Sequence, residues 1–138
     1  MGIILDSSVL IAYERRRFDL EQLLTDQDEP AIAAITAGEL LIGVERADTA
    51  ERRARRQTFV DNLFVQLSII PFDLPQARLY AHHFAKLTAT GFKIGDRDLQ
   101  IAVTALSLGY DLATLNVGEF KRIDGLNVVD VSKYQTAT

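Results

Sequence analysis

At 138 residues, with 25% charged and 48% hydrophobic, the chain fits one globular domain over 1–138, a size that buries on the order of 70% of its unfolded surface. The lack of cysteine excludes disulfides and thiolate metal sites. No apolar run approaches the roughly 18 residues of a membrane span and no signal peptide opens the chain, so a cytoplasmic protein with no membrane partner is expected. The net charge of −4 argues against a surface built only for phosphate backbones, unless the acids are gathered in a cation site.

Ile3-Ile4-Leu5 has the composition of a parallel strand buried on both faces. Asp6 ends it, and residues 9–13 continue as a helix with Ser7 or Ser8 near the N-cap. Arg15, Arg16 and Arg17 follow, then a helical stretch around Leu20, Leu23 and Leu24, then a polar loop over 25–30. Residues 31–35 are the second strand. Thr36-Ala37-Gly38-Glu39 has the form of a capping box, with Thr36 as N-cap and Glu39 at the third helical position.

Asp48-Thr49 starts a helix that runs to about Leu67. It carries Arg52, Arg53, Arg55 and Arg56 early, and Phe59, Val60, Leu63, Phe64 and Leu67 at core-facing spacing. Residues 68–72 form a short strand. Asp73-Leu74-Pro75 opens a helix with Ala77, Tyr80, Ala81, Phe84 and Leu87 on one face, assigned to the core, and Gly91 ends it. His82 and His83 lack a second ligand pair at zinc spacing and read as surface or partner residues.

Asp96 and Asp98 stand at the mouth of a helix that is apolar on nearly every face from Leu99 to Leu108, hence buried, and Gly109 closes it. Residues 111–115 are strand four, 116–120 a turn or short helix, and 127–131 an edge strand. Short apolar strands alternating with helices argue an α/β domain with a mostly parallel sheet of four to five strands and helices on both faces. Ligands of such sheets bind beyond the carboxyl ends of the strands.

That edge collects acids. Asp6 follows the first strand, Glu39 lies just into the helix after the second, and Glu119 lies shortly after the fourth, with Asn116 between. Right-handed crossovers bring the helix start at Asp96 and Asp98 to the same side. Plainer roles exist for two of them: Glu39 as a capping-box partner and Asp96 as an N-cap, with first-turn acids favoured by about 0.3–1 kcal/mol through the helix dipole. Asp6 has no such role, and an Asp ending a buried strand is costly unless paired or metal-bound. Several acids at one edge repel unless a cation or raised pKa values intervene. The cation suited to oxygen ligands is Mg²⁺ or Mn²⁺, which can bridge carboxylates to a phosphate and polarise an attacking water. Phosphate-cradling glycine loops and a nucleophilic serine elbow are both missing from the sequence.

Four segments resemble those of PIN-domain ribonucleases, in particular the toxins of bacterial VapBC toxin–antitoxin pairs. They are Asp6-Ser7-Ser8-Val9-Leu10-Ile11; Glu39 within Thr36-Ala37-Gly38-Glu39-Leu40; Ile94-Gly95 with Asp98 and Ile101-Ala102; and Thr114, Asn116 and Glu119-Phe120. They occur in family order over nearly the whole chain. The resemblance implies a PIN-like three-layer α/β/α fold and an Mg²⁺-dependent endoribonuclease that cuts transfer or ribosomal RNA and arrests translation. It implies that Asp6, Glu39 and Asp98 are the catalytic metal ligands. Glu119 is the chosen fourth, and Asp96, Asn116, Thr114 and Ser7 are supporting candidates. A homodimer is implied, together with a small antitoxin whose C-terminal segment enters the active-site groove; charge complementarity suggests that this segment places an Arg among the carboxylates.

Holding RNA needs basic flanks, and Arg15, Arg16, Arg17 and Arg97 are the candidates. Arg46, Arg52, Arg53, Arg55 and Arg56 read equally as RNA contacts or as a solvated face paired with Glu45, Asp48 and Glu51. Two other classes compete. One is a receiver-like signalling module with an acidic Mg²⁺ pocket, which sits poorly with Ile69-Ile70-Pro71 ending the middle strand. The other is a PIN fold used only to bind RNA.

Overall fold

Ile3, Ile4 and Leu5 are all buried and form β1 (Ile3–Leu5), the central strand of a five-stranded sheet. The computed structural model describes residues 2–136. The other strands are β2 (Pro30–Ala33), β3 (Ser68–Ile70), β4 (Asp111–Thr114) and β5 (Val128–Asp130). Their order is β3-β2-β1-β4-β5 and every neighbouring pair is parallel. The chain builds outward from β1 to β3, crosses back, and continues from β4 to β5 on the other side. The crevice where direction reverses therefore lies between β1 and β4.

Alternation along β1 divides the core. Ile3 and Leu5 pack with Leu10 of α1 (Ser7–Glu14), Leu23 of α2 (Leu20–Asp26) and Leu63 of α4 (Ala50–Gln66). Ile4 points the other way, into a cluster with Leu99, Ile101, Ala102, Val103 and Ala105 of α6 (Asp96–Leu108) and Leu87 of α5 (Leu74–Ala89). This gives the three layers expected of the sequence. The remaining helices are α3 (Ala34–Glu45) and α7 (Val117–Phe120). Gly109 ends α6 at φ +66, a left-handed cap that costs glycine nothing. Among the described residues no helix is long and apolar enough to cross a membrane.

The helix starts differ from the sequence reading. α3 follows β2 without a loop, with Ala33 (φ −73, ψ 153) as its N-cap, so Thr36 and Glu39 already lie inside the helix and the capping box does not form. Asp6, not Ser7 or Ser8, is the N-cap residue of α1, and its carboxylate makes no capping bond. Gly95 takes that position in α6, which leaves Asp96 as the first helical residue.

On α5 the inner face is turned from the expected one. Gln76, His83 and Leu87 are buried, whereas Phe84 is 52% exposed. Gln76 sets this rotation: its Oε1 accepts from the Asp73 N–H at 2.8 Å, and its Nε2 donates to Ser107 Oγ on α6 at 2.9 Å. His83 is consequently an interior residue, not a surface one, and burial holds its imidazole below the usual histidine range.

Candidate active site

Asp6 sits at the carboxyl end of β1 with only 2% exposure. Two hydroxyls donate to its Oδ2: Ser8 Oγ at 2.7 Å and Thr114 Oγ1 at 2.8 Å. Each hydroxyl also accepts from the backbone, Ser8 from the Leu115 N–H at 3.1 Å and Thr114 from the Asn116 N–H at 2.9 Å. A hydroxyl that accepts from a fixed amide has its one proton free for the carboxylate. Ends of β1 and β4 are thereby stitched together through Asp6. Thr114 is where the sequence put it, but Ser8 rather than Ser7 is the serine on Asp6. The Asp-x-Ser spacing carries that signal, since a side chain two residues on can turn back over the first helical turn.

Glu39 projects from the second turn of α3. Arg97 Nη1 reaches its Oε2 at 3.4 Å, while its Oε1 is buried and has no hydrogen-bond partner. Burial raises the pKa of Glu39, Arg97 opposes that rise, and the charge on Asp6 adds to it. Thr36, one turn earlier and fully buried, also has an unpartnered hydroxyl. Nothing in the sequence pointed to Thr36 except as a cap.

Asp98 is half-buried in the first turn of α6. Its carboxyl is pushed up to about 7, first by burial, then by the hydrogen bond and charge it shares with Glu119, and then by the charges of Asp6 and Glu39. The four acids chosen from the sequence therefore act on one another from β1, α3, α6 and α7. Asp96 is drawn elsewhere: it accepts from the Tyr80 hydroxyl and, at 3.4 Å, from Gln100 Nε2. Asn116 is exposed and caps α7 by position, without a side-chain bond. Ser7, Arg15 and Arg97 line a groove beside Glu39, and Arg16 and Arg17 lie outside it.

Among the described residues no three His, Asp or Glu side chains are gathered closely enough to hold a metal ion as they stand. The negative charge is offset instead by Arg97 on Glu39 and by the raised pKa of Asp98. The donor set nonetheless fits a hard divalent cation. All its ligands are carboxylate oxygens, Glu39 Oε1 is buried without a donor, and a cation would relieve the repulsion that raises Asp98.

The PIN-domain family profile matches residues 3–126. The chain is 38% identical to ribonuclease VapC1 of Rickettsia felis over 132 residues, which cover 96% of this chain and 98% of that protein. It is 28% identical to the tRNA(fMet)-specific endonuclease VapC of Shigella flexneri, over 96% of this chain and 99% of the relative. Among solved structures, VapBC2 of Rickettsia felis bound to a promoter DNA fragment superposes with a TM-score of 0.84 at 28% identity, covering 94% of this chain and 98% of that one.

Proposed function

This chain belongs to the PIN-domain family, among the VapC ribonucleases, and from that premise we propose that it is a divalent-metal-dependent endoribonuclease acting as the toxin of a toxin–antitoxin pair. The observation that carries the reading is the mutual influence of Asp6, Glu39, Asp98 and Glu119 at one sheet edge. These four would hold Mg²⁺ or Mn²⁺. When bound, the ion supplies positive charge to the scissile phosphate and a nucleophilic water at neutral pH.

The chain's own groups prepare the site. Ser8 and Thr114 hold Asp6 in one orientation against the repulsion of the other carboxylates. Asp98 exchanges its proton near neutrality, so the negative charge of the site can change by one unit there. Arg97 neutralises Glu39 and, being 61% exposed, can swing away to free it.

Structured RNA, transfer RNA first, is the proposed substrate, in line with the name of the Shigella flexneri relative. The antitoxin partner follows from likeness to VapBC complexes. A homodimer is supported by the exposed Phe72, Leu74 and Phe84, with Phe72 and Phe84 both against the Tyr80 ring.

The test is cleavage of transfer RNA by the purified chain in Mg²⁺, in EDTA, and by Asp98→Asn. Cleavage in Mg²⁺ is expected to fall at least 100-fold in the other two. Equal cleavage in all three would overturn the mechanism.

A further inference from the structure

A groove of about 630 Å³ takes in Glu39 of the carboxylate centre, and its charged lining is completed by Glu14, Arg15, Arg46, Arg56 and Arg97, four guanidinia against two carboxylates. Arg15 and Arg46 cap the C-termini of α1 and α3, where a cation offsets the helix dipole. Among the described residues neither has an ion-pair partner. Arg56 crosses from α4 to α3 and donates Nη1 to the Gly43 carbonyl at 3.2 Å. Gly43 makes room for it, because a Cβ there would stand 2.9 Å from that nitrogen. The neighbouring Arg52 and Arg53 do not line this groove. Arg52 clasps both oxygens of Asp48 at 2.8 and 2.9 Å, and Arg53 donates to the Glu45 carbonyl at 3.3 Å.

In a chain of net charge −4, three guanidinia without carboxylate partners on one groove are a local reversal of sign. The reversal adjoins the acidic centre at Glu39. A single phosphate presented to four carboxylates is repelled unless its neighbours along the backbone are held, and guanidinium is the side chain that holds them. We propose that Arg15, Arg46 and Arg56 bind the RNA phosphates flanking the scissile one and set the affinity for substrate. This rests on the ribonuclease reading above.

The experiment measures binding of a fluorescein-labelled bulk transfer RNA by anisotropy from 50 to 200 mM KCl, in an Asp98→Asn background so that no turnover is needed. R46Q/R56Q is expected to weaken binding about tenfold at 100 mM KCl and to lower the slope of log K against log salt by about 1.4–1.8, or about 0.7–0.9 per lost phosphate contact. R52Q/R53Q should change neither. G43A displaces only the flexible end of Arg56, so it should weaken binding while the melting temperature holds or rises, since Ala is the better helix former.

Coincident slopes for R46Q/R56Q and R52Q/R53Q would overturn the proposal and leave the aliphatic lining of the groove, including Ile11 and Ile42, to a protein segment. RNA cleavage in the Asp98 parent with coincident slopes sinks the groove alone. No cleavage by the Asp98 parent together with the altered slope sinks the ribonuclease reading and with it the scissile position, and keeps the arginines as phosphate contacts only.

Discussion

Residue 98 holds a carboxyl that titrates near pH 7 in the folded chain and at the ordinary 3.8 when unfolded. The folded state thus binds that proton more tightly. Its stabilising contribution is full below about pH 4 and is lost as pH rises through about 7. In EDTA, Asp98→Asn should therefore melt on the order of 3–6 °C above the wild type at pH 8, the gap narrowing through pH 5 and closing near pH 4. Calorimetric melts of both proteins across that range check it, and a gap independent of pH would refute it. The difference is the readout because His83, held low by burial, pulls the opposite way: its contribution is present above 6.5 and lost on acidification. The sequence made the acids legible because they follow strand ends. It did not make their partners legible. Whether Ser7 or Ser8 turns back, and whether Thr36 caps or lies within a helix, depends on where each helix begins, and that is set by how tightly it follows its strand.

The helix α6 is the element that turns position into rigidity. Leu99, next to Asp98, is fully buried against β1 and β4 residues, and Ala102 and Ala105 let the helix lie close to the sheet. Leu99→Ala should cost about 2–5 kcal/mol by urea unfolding and also weaken Mn²⁺ binding by calorimetry. Leu63→Ala, equally buried but in the opposite layer, should cost similar stability and leave Mn²⁺ affinity unchanged. Equal losses of Mn²⁺ affinity would mean that α6 has no special part in holding the acid. The burial of this helix was readable because apolar residues surround it. The inner face of α5 was not, because a polar residue, Gln76, fixes its rotation by bonding across to Ser107, and hydrophobic spacing cannot register such a bond.

At the scale of the molecule, alternating strands and helices disclosed a parallel sheet, while its order, β3-β2-β1-β4-β5, is a matter of long-range pairing that local pattern does not encode. That order divides the chain in a way that can be used. The exposed connection at 71–73 separates a first part holding β1, β2, β3, Asp6 and Glu39 from a second holding β4, β5, Asp98 and Glu119. Their seam is the β1–β4 ladder together with the packing of α6 on β1 and β2. Severed there, each fragment keeps two of the four acids and one raw strand edge, so neither should cut RNA or slow growth when expressed alone. Co-expressed, the fragments should reassemble along the β1–β4 seam and arrest growth. The strand order thus makes the chain a two-input device whose output requires both halves in the same cell.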